Sequence, residues 1–330
     1  MRQLHKAGPA RSPVLVVGGA GFIGSHTVEA LLEQGYRVRV LDDLSAGRLD
    51  NLPQQHPRLQ IRIGDARDAA VVLSAMHGIR GCIHLAAQVS AARSVEQPLQ
   101  SAERNILGFI NVIEAVRKRG VQRLVYASSA AVYGDCRNLP LDENETPLPT
   151  NPYGLEKQID ELYAGLYRRL HGLPSLGLRY FNVYGPRQDP ASPYSGVISK
   201  FIERLQAGES PLVFGDGRQT RDFVHVKDVA QANVLALASD YCGVCNVATG
   251  TSVDLLQLIE VLNVCIGTNA APLFAPARPG DIRDSCGNGE RLWQQLGFTP
   301  SLGLEHGLAD LAASSTAAAP PARVAAAMHK

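Results

Sequence analysis

Short apolar runs recur along the first half of the chain, with helix-like segments between them. The first run, residues 14–17, is continuously apolar, as in a strand buried on both faces of a parallel sheet. Residues 108–117 have instead the three- and four-residue apolar spacing of an amphipathic helix. This alternation predicts an α/β fold built on a doubly wound parallel sheet. The strands are predicted at residues 14–17, 37–41, 59–63, 81–85 and 123–127.

A glycine-rich turn follows the first predicted strand and leads into a helical segment. The turn carries Gly18, Gly21 and Gly24. Glycine is needed where the backbone turns sharply, approaches a pyrophosphate or packs closely, and the N-terminus of the following helix attracts the diphosphate. The second strand ends at Asp42, eighteen residues beyond Gly24, where a carboxylate can accept both ribose hydroxyls and disfavours a 2′-phosphate. The pattern predicts a Rossmann-type site for NAD rather than NADP.

Tyr153 and Lys157 are spaced to lie on one face of a later helix. Asn151 as N-cap and Pro152 at the first helical position predict where that helix begins. A phenol has an ordinary pKa near 10, so a tyrosine that acts as a base near neutrality needs a shift of about 3 units, or about 4 kcal/mol. A neighbouring ammonium is the simplest cause of such a shift. The spacing alone also occurs on unrelated exposed helices, but with the glycine turn it predicts redox chemistry on a bound dinucleotide.

Further motifs lie at residues 84–87 (His-Leu-Ala-Ala), 128–129 (Ser-Ser), 179–186 (Arg-Tyr-Phe-Asn-Val-Tyr-Gly-Pro), 221–225 (Arg-Asp-Phe-Val-His), 246–248 (Asn-Val-Ala) and 278–281 (Arg-Pro-Gly-Asp). With these motifs the chain resembles the extended short-chain dehydrogenase/reductase family, specifically its nucleotide-sugar 4-epimerases, from Val14 to about Leu308. Val17 is one departure, because the family usually places threonine before the first glycine.

The resemblance implies a reaction and three catalytic residues. Tyr153 would be the acid/base, Lys157 would assist it and hold the nicotinamide ribose, and Ser129 would hydrogen-bond the reacting sugar hydroxyl. Oxidation at C4 would give a 4-keto sugar, which turns about its pyrophosphate link and is reduced on the other face. Strong contacts are therefore expected on the uridine diphosphate and weak contacts on the sugar.

The resemblance also assigns binding residues, among them two arginines, Arg221 and Arg278, that suit a pyrophosphate because guanidinium groups match phosphate oxygens. The implied cofactor-binding residues are Gly18, Gly21, Phe22, Ile23, Gly24, Asp42, Asp43, Ser45, Gly47, Asp65, Ala66, Leu85, Ala86, Ala87, Asn105, Ser128, Tyr153, Lys157, Tyr180 and Val183. The implied substrate-binding residues are Ser90, Ser129, Asn182, Gln188, Val197, Arg221, Arg278, Asp281 and Ser285.

Two positions bear on which reaction and which sugar to expect. Dehydratases and decarboxylases that resemble this family carry an acidic residue just after the catalytic hydroxyl, where this chain has Ala130 and Ala131. In related epimerases the residue seven positions after the C-terminal anchoring arginine lines the hexose pocket, and a bulky tyrosine there excludes N-acetylated sugars. That position is Ser285, which predicts UDP-N-acetylglucosamine and UDP-N-acetylgalactosamine as the principal pair.

Other functions stay open. UDP-glucose and UDP-galactose are the alternative pair, since the family's usual Ala-Asp after Ser285 is replaced by Cys286 and Gly287. A dehydratase or reductase is a second alternative. A non-catalytic protein that binds NAD or a nucleotide sugar is a third, although a binder needs no Tyr153 and Lys157 pair.

Composition excludes some partners. The chain has 330 residues with 32 basic and 31 acidic side chains, so nothing favours a nucleic acid or membrane partner. No run approaches the roughly 18 apolar residues of a spanning helix, and we expect a soluble cytoplasmic protein. Cys242 and Cys245 have the spacing of a metal or redox pair, but no second pair completes a zinc site, so no metal is predicted.

The predicted domain organisation is discontinuous. Residues 1–12 form a flexible leader, 13–185 form the NAD-binding domain to which 222–248 return, and 186–308 form a discontinuous substrate lobe. An Ala- and Pro-rich tail, 309–330, is expected to be disordered or loosely helical. The resemblance also implies a homodimer, paired through helices that include residues 105–117 and 153–169.

Overall fold

The computed structural model describes residues 11–136, 138–188, 196–277 and 282–317. Its strands are β1 (Arg11–Val17), β2 (Tyr36–Asp42), β3 (Leu59–Ile63), β4 (Gly81–His84), β5 (Arg123–Ser129), β6 (Ser175–Tyr180), β7 (Asn182–Tyr184), β8 (Leu212–Phe214), β9 (Thr220–Arg221), β10 (Phe223–His225), β11 (Gly243–Val247), β12 (Val253–Asp254) and β13 (Leu273–Ala275). Its α-helices are α1 (Phe22–Glu33), α2 (Ala69–Ala75), α3 (Ala91–Glu96), α4 (Pro98–Ala102), α5 (Gly108–Arg119), α6 (Pro152–His171), α7 (Val197–Gln206), α8 (Val226–Ala238), α9 (Leu255–Ile266), α10 (Glu290–Leu296) and α11 (Leu304–Ala317). Short 3₁₀ helices span Leu49–Asn51 and Ala130–Tyr133, and a π-helical turn spans Glu103–Leu107.

Seven parallel strands form the central sheet in the order β11-β6-β5-β4-β1-β2-β3. The chain builds outward in one direction from β1 to β3 and then in the other from β4 to β11. A crevice for a ligand therefore opens at the carboxyl ends of β1 and β4, where the direction reverses. The predicted doubly wound, Rossmann-type sheet is confirmed.

Alternating side chains of the strands enter two core layers. Val16 packs with Val28 and Leu31 of α1 on one face of the sheet. Leu15 and its neighbours pack with Phe109 of α5 on the other face. Because both faces are covered by helices, only the ends of the strands are left for chemistry.

A smaller lobe has its own core, built mainly from α7, α9 and α11. Phe201, Leu258 and Leu308 are among its buried residues. The tail expected from residue 309 begins inside α11, where Leu311 and Ala312 are buried and the helix packs against α9. Residues 318–330 lie outside the described part of the chain.

The segment 222–248 includes α8 and β11, and β11 joins the central sheet by pairing with β6. At the other end, β1 begins at Arg11, so the last two residues of the predicted leader belong to this strand. In the described ranges, no helix is both long and apolar enough to cross a membrane. The same ranges contain no group of three or more His, Cys, Asp or Glu side chains placed to hold a metal ion.

Candidate active site

The glycine turn between β1 and α1 is shaped by backbone contacts that leave no room for side chains. Gly18 has φ +81°, and a Cβ there would lie 2.5 Å from the backbone nitrogen of Ala86. A Cβ on Gly24 would lie 2.8 Å from Cα of Gly19 and closer still to the carbonyl oxygen of Gly18. Gly21 is the N-cap of α1, and no side chain caps that end of the helix. The first N–H groups of α1, at Phe22 and Ile23, are therefore available to an anionic ligand.

Asp42 is held rigidly at the end of β2. Its two carboxylate oxygens accept hydrogen bonds from the backbone N–H of Ala20 and of Leu44, each at 2.9 Å. Burial raises the pKa of this carboxyl, and the two hydrogen bonds oppose that rise. The carboxylate thus faces the turn in a fixed position, with lone pairs remaining for ribose hydroxyls.

A cavity lies at the carboxyl ends of β1 to β4, and ten predicted cofactor residues line it. They are Gly18, Asp42, Asp43, Ser45, Gly47, Asp65, Ala66, Leu85, Ala86 and Ala87. The glycine cradle, the uncapped helix and the fixed Asp42 carboxylate fit the diphosphate and ribose of NAD.

Two arginines that sequence reasoning missed also line this cavity. Arg67 forms an ion pair with Asp65 at 2.6 Å, and its hydrogen bond lowers the pKa of the Asp65 carboxyl. Arg104 donates to the hydroxyl of Ser45 at 3.0 Å. Arg67 follows Asp65 by two residues, but Arg104 carries no signal in the sequence beyond its place beside Asn105.

Ser128 and Ser129, at the end of β5, have different surroundings. The Oγ of Ser129 accepts a hydrogen bond from the N–H of Ala131 at 3.1 Å and caps the short helix that follows. The buried Ser128 hydroxyl donates to Glu161 of α6 at 2.6 Å, and Glu161 is ion-paired with Arg179 at 2.7 Å. The Ser128 side chain therefore joins β5 to α6, and its expected cofactor contact stays a prediction.

Tyr153 and Lys157 lie one turn apart on α6, which begins as predicted. Asn151 caps the helix by accepting from the N–H of Gly154 at 2.9 Å, and Pro152 is the first helical residue. A Cβ on Gly154 would lie 2.5 Å from the carbonyl oxygen of Ala131, so the start of α6 packs closely against the segment after β5. This close approach brings the half-buried Tyr153 to the same end of the sheet as Ser129.

Lys157 is almost completely buried, and its Nζ contacts Asp160 Oδ2 at 3.1 Å. Asp160 was missed in the sequence, although it lies at the i+3 spacing that lets two helical side chains meet. The ammonium therefore has a carboxylate partner within its own helix.

Asn105 joins the loop after β4 to α6, and its expected contact with the cofactor stays a prediction. Its Oδ1 accepts from the N–H of Gln88, and its Nδ2 donates to the carbonyl oxygen of Gln88 and to Glu156 of α6. Ser101 also donates to Glu156, at 2.9 Å. The buried Asn105 side chain thus fixes the loop after β4 to α6. The Tyr180 hydroxyl donates a hydrogen bond to Asn233 Oδ1 at 2.6 Å. Val183, another expected cofactor residue, lies half-buried in β7.

The expected substrate residues lie on several segments at this end of the sheet. Ser90 caps α3, Asn182 begins β7, Val197 begins α7, and Gln188 accepts from Ser199 at 3.0 Å. Arg221 lies in β9, with Nη1 donating to the carbonyl oxygen of Thr220. Arg278 and Asp281 lie outside the described residues.

The segment around Ser285 is anchored at the carboxyl end of the sheet. The carbonyl oxygen of Cys286 accepts from the N–H of Leu141 at 2.8 Å, and the N–H of Gly287 donates to Asp222 at 3.2 Å. A Cβ on Gly287 would lie 2.5 Å from Phe181, which follows β6 directly. Ser285, itself buried, is thereby held close to the strand ends.

The chain belongs to the NAD dependent epimerase/dehydratase family, because the sequence model of that family matches residues 14–248. It is a nucleotide-sugar epimerase by class, and NAD is its cofactor.

Its similarity to individual proteins extends over nearly the whole chain. It is 40% identical over 297 residues to a putative UDP-glucose 4-epimerase of Methanocaldococcus jannaschii, covering 89% of this chain and 95% of that protein. A UDP-N-acetylglucosamine 4-epimerase from Methanobrevibacter ruminantium, solved with UDP-N-acetylmuramic acid, is 38% identical, with a TM-score of 0.90 over 93% of this chain and 98% of that one. A UDP-glucose 4-epimerase from Thermus thermophilus, solved with NAD, is also 38% identical, with a TM-score of 0.86 over 93% of this chain and 100% of that one.

Proposed function

We propose that this chain inverts the C4 hydroxyl of a UDP-hexose. The observation that carries the proposal is the close packing of Gly154 on Ala131, which supports a site shared by the start of α6, with Tyr153 and Lys157, and the segment that follows Ser129. NAD supplies a hydride acceptor that can return the same hydride to either face of C4.

The protein's own side chains manage the proton and the sugar. Tyr153 takes the proton of the 4-hydroxyl as a phenolate that the Lys157 ammonium stabilises, holds it as a neutral phenol while the 4-keto sugar turns, and then returns it. Ser129, fixed by its hydrogen bond to Ala131, orients the reacting hydroxyl. Arg221, together with Arg278, holds the diphosphate while the sugar turns.

The arrangement favours epimerisation over dehydration because carboxylates near the site are already occupied. In the described part of the chain, Glu156 is bound by Ser101 and Asn105, Glu161 by Ser128 and Arg179. Asp135, which follows the short helix after β5, is exposed. Elimination from C5–C6 requires an acid at the sugar, and Glu156 and Glu161 are both engaged by other protein groups.

We infer that the preferred pair is UDP-N-acetylglucosamine and UDP-N-acetylgalactosamine. The inference depends on Ser285, a small residue in a segment fixed by Leu141 and Asp222. Its side chain leaves volume that a tyrosine would fill. The Methanobrevibacter relative acts on an acetamido sugar by name, whereas the other two relatives are named for UDP-glucose.

Replacing Ser285 with tyrosine tests the sugar preference. We expect Ser285→Tyr to lower kcat/KM for UDP-N-acetylglucosamine by about 10- to 200-fold, and to leave UDP-glucose turnover within about threefold. Equal losses for both sugars would contradict the assigned role of Ser285.

Tyr153→Phe tests the chemistry. We expect this variant to retain NAD and the thermal stability of the wild type while losing epimerisation by more than about 100-fold. Unchanged activity would exclude Tyr153 as the base, and a wild type that binds NAD and UDP-sugar without converting it would favour the binding-protein alternative.

We further propose a homodimer formed through α5 and α6. On α6, Leu162, Leu166 and Leu170 recur every four residues and form an apolar stripe, with Leu162 and Leu170 each 64% exposed. A twofold dimer would bury this stripe on both subunits. Fully burying a leucine side chain stabilises an assembly by about 1.5–3 kcal/mol.

A further inference from the structure

Asp160 forms a buried ion pair with the active-site lysine. The Lys157 and Asp160 side chains are 2% and 1% exposed, and Nζ lies 3.1 Å from Oδ2. The second oxygen, Asp160 Oδ1, is buried and has no hydrogen-bond partner among the residues that the structure describes. A carboxylate so far from water is costly unless its charge is matched, and in the described residues Lys157 is the cation in contact with it.

The groups around this pair come from four elements. On α6 itself, Glu156 and Glu161 lie beside Asp160, and burial together with these two charges raises its pKa to about 7, against the pull of Lys157. Burial also works to lower the pKa of Lys157, but Asp160, Tyr153 and Glu156 outweigh it and the pKa is raised.

The sheet contributes the remaining neighbours. His84 of β4 is buried with neither ring nitrogen bonded, and burial together with the nearby Lys157 ammonium lowers its pKa to about 3. Tyr126 of β5 is buried, and burial with the charges of Glu161 and Asp160 raises its pKa. Arg179 of β6 forms an ion pair with Glu161. Of these neighbours, only Asp160 can neutralise Lys157 by direct contact.

We propose that Asp160 is a positioning residue for the active site, whose buried carboxylate holds the Lys157 ammonium in place and keeps it protonated. A lysine side chain has four rotatable bonds, and one hydrogen bond to Asp160 fixes the direction of Nζ while two N–H groups remain for Tyr153 and the nicotinamide ribose. Without the carboxylate, a fully buried ammonium would lose its proton more readily. The kinetic consequence rests on the proposed function, but the ion pair itself does not.

The pH dependence of Asp160→Asn tests the kinetic consequence. The alkaline limb of kcat/KM is expected to move about one to three pH units lower, because Lys157 deprotonates earlier. The matched control is Asp228→Asn, which makes the same change at a buried carboxylate that accepts from the N–H of Ser301 and Leu302 in another part of the protein. An unmoved limb in Asp160→Asn, or an equal shift in Asp228→Asn, would overturn the proposal.

A stability cycle tests the ion pair without any substrate. In saturating NAD, Lys157→Met and Asp160→Asn are each expected to lower Tm, and the double variant should regain at least half of their summed loss because no unmatched charge remains. Strictly additive losses would refute the coupling even if the enzyme proved active on the expected sugar. A strong coupling in a protein without epimerase activity would leave the pair intact and count only against the proposed function.

Discussion

Replacing Gly24 with alanine should separate the NAD site from the rest of the fold. The added Cβ would lie 2.8 Å from Cα of Gly19, whereas ordinary contact begins at 3.4 Å. The turn must therefore move by at least ~0.6 Å, and by more where the Gly18 carbonyl oxygen is in the way. The N–H groups of Phe22 and Ile23 move with it.

Hydrogen bonds to a charged group contribute about 1.5–3 kcal/mol each. Losing one of them to the diphosphate costs about 1.5–3 kcal/mol, which weakens NAD binding by about 10- to 140-fold. Isothermal titration of NAD into cofactor-stripped protein measures this directly. Gly303→Ala is the control, because its Cβ would meet only His306, at 3.9 Å. If Gly24→Ala bound NAD within twofold of the wild type, the close-approach argument would be refuted.

Two further predictions concern stability and assembly. Burial lowers the pKa of His84 to about 3. Between pH 6.5 and 3 the unfolded chain therefore binds a proton that the folded protein excludes. The free energy of unfolding consequently decreases as the pH falls below 6.5. Urea unfolding should show that His84→Leu removes about 2 kcal/mol of the difference between pH 7 and pH 5, and an unchanged difference would contradict the assignment. Sedimentation velocity should show that the wild type is a dimer and that Leu162→Glu is a monomer. The control, Val264→Glu, changes an 84% exposed position on α9 and should leave the dimer intact. A monomeric wild type would rule out the proposed interface.

Short-range sequence patterns were enough to predict the local backbone structure in the cofactor half of the candidate site. The glycine turn, Asp42 at a strand end and the Asn151 cap each depend on backbone geometry within a few residues, so sequence spacing was sufficient. The parallel sheet follows from the same logic, because the apolar runs of β1, β4 and β5 are buried on both faces.

Tertiary burial decided what the sequence could not show. Asp160 and Glu156 look like solvated helix positions by composition, yet both are buried against Lys157 and Asn105. Ser128 and Asn105 carry family motifs, but their side chains join elements of the protein to each other. The helix α11 is Ala-rich and looks weak alone, and its buried Leu311 gains order from packing on α9.

The most direct test incubates purified protein with UDP-N-acetylglucosamine and, separately, with UDP-glucose, without added NAD, and follows the anomeric protons by NMR. We predict that the galacto epimer of the acetamido sugar appears, with no net NADH absorbance, because the cofactor is retained and regenerated. Conversion of UDP-glucose alone would keep the mechanism and overturn the role of Ser285. No conversion of either sugar, by protein shown to contain NAD, would contradict the central claim that this site is a UDP-hexose 4-epimerase.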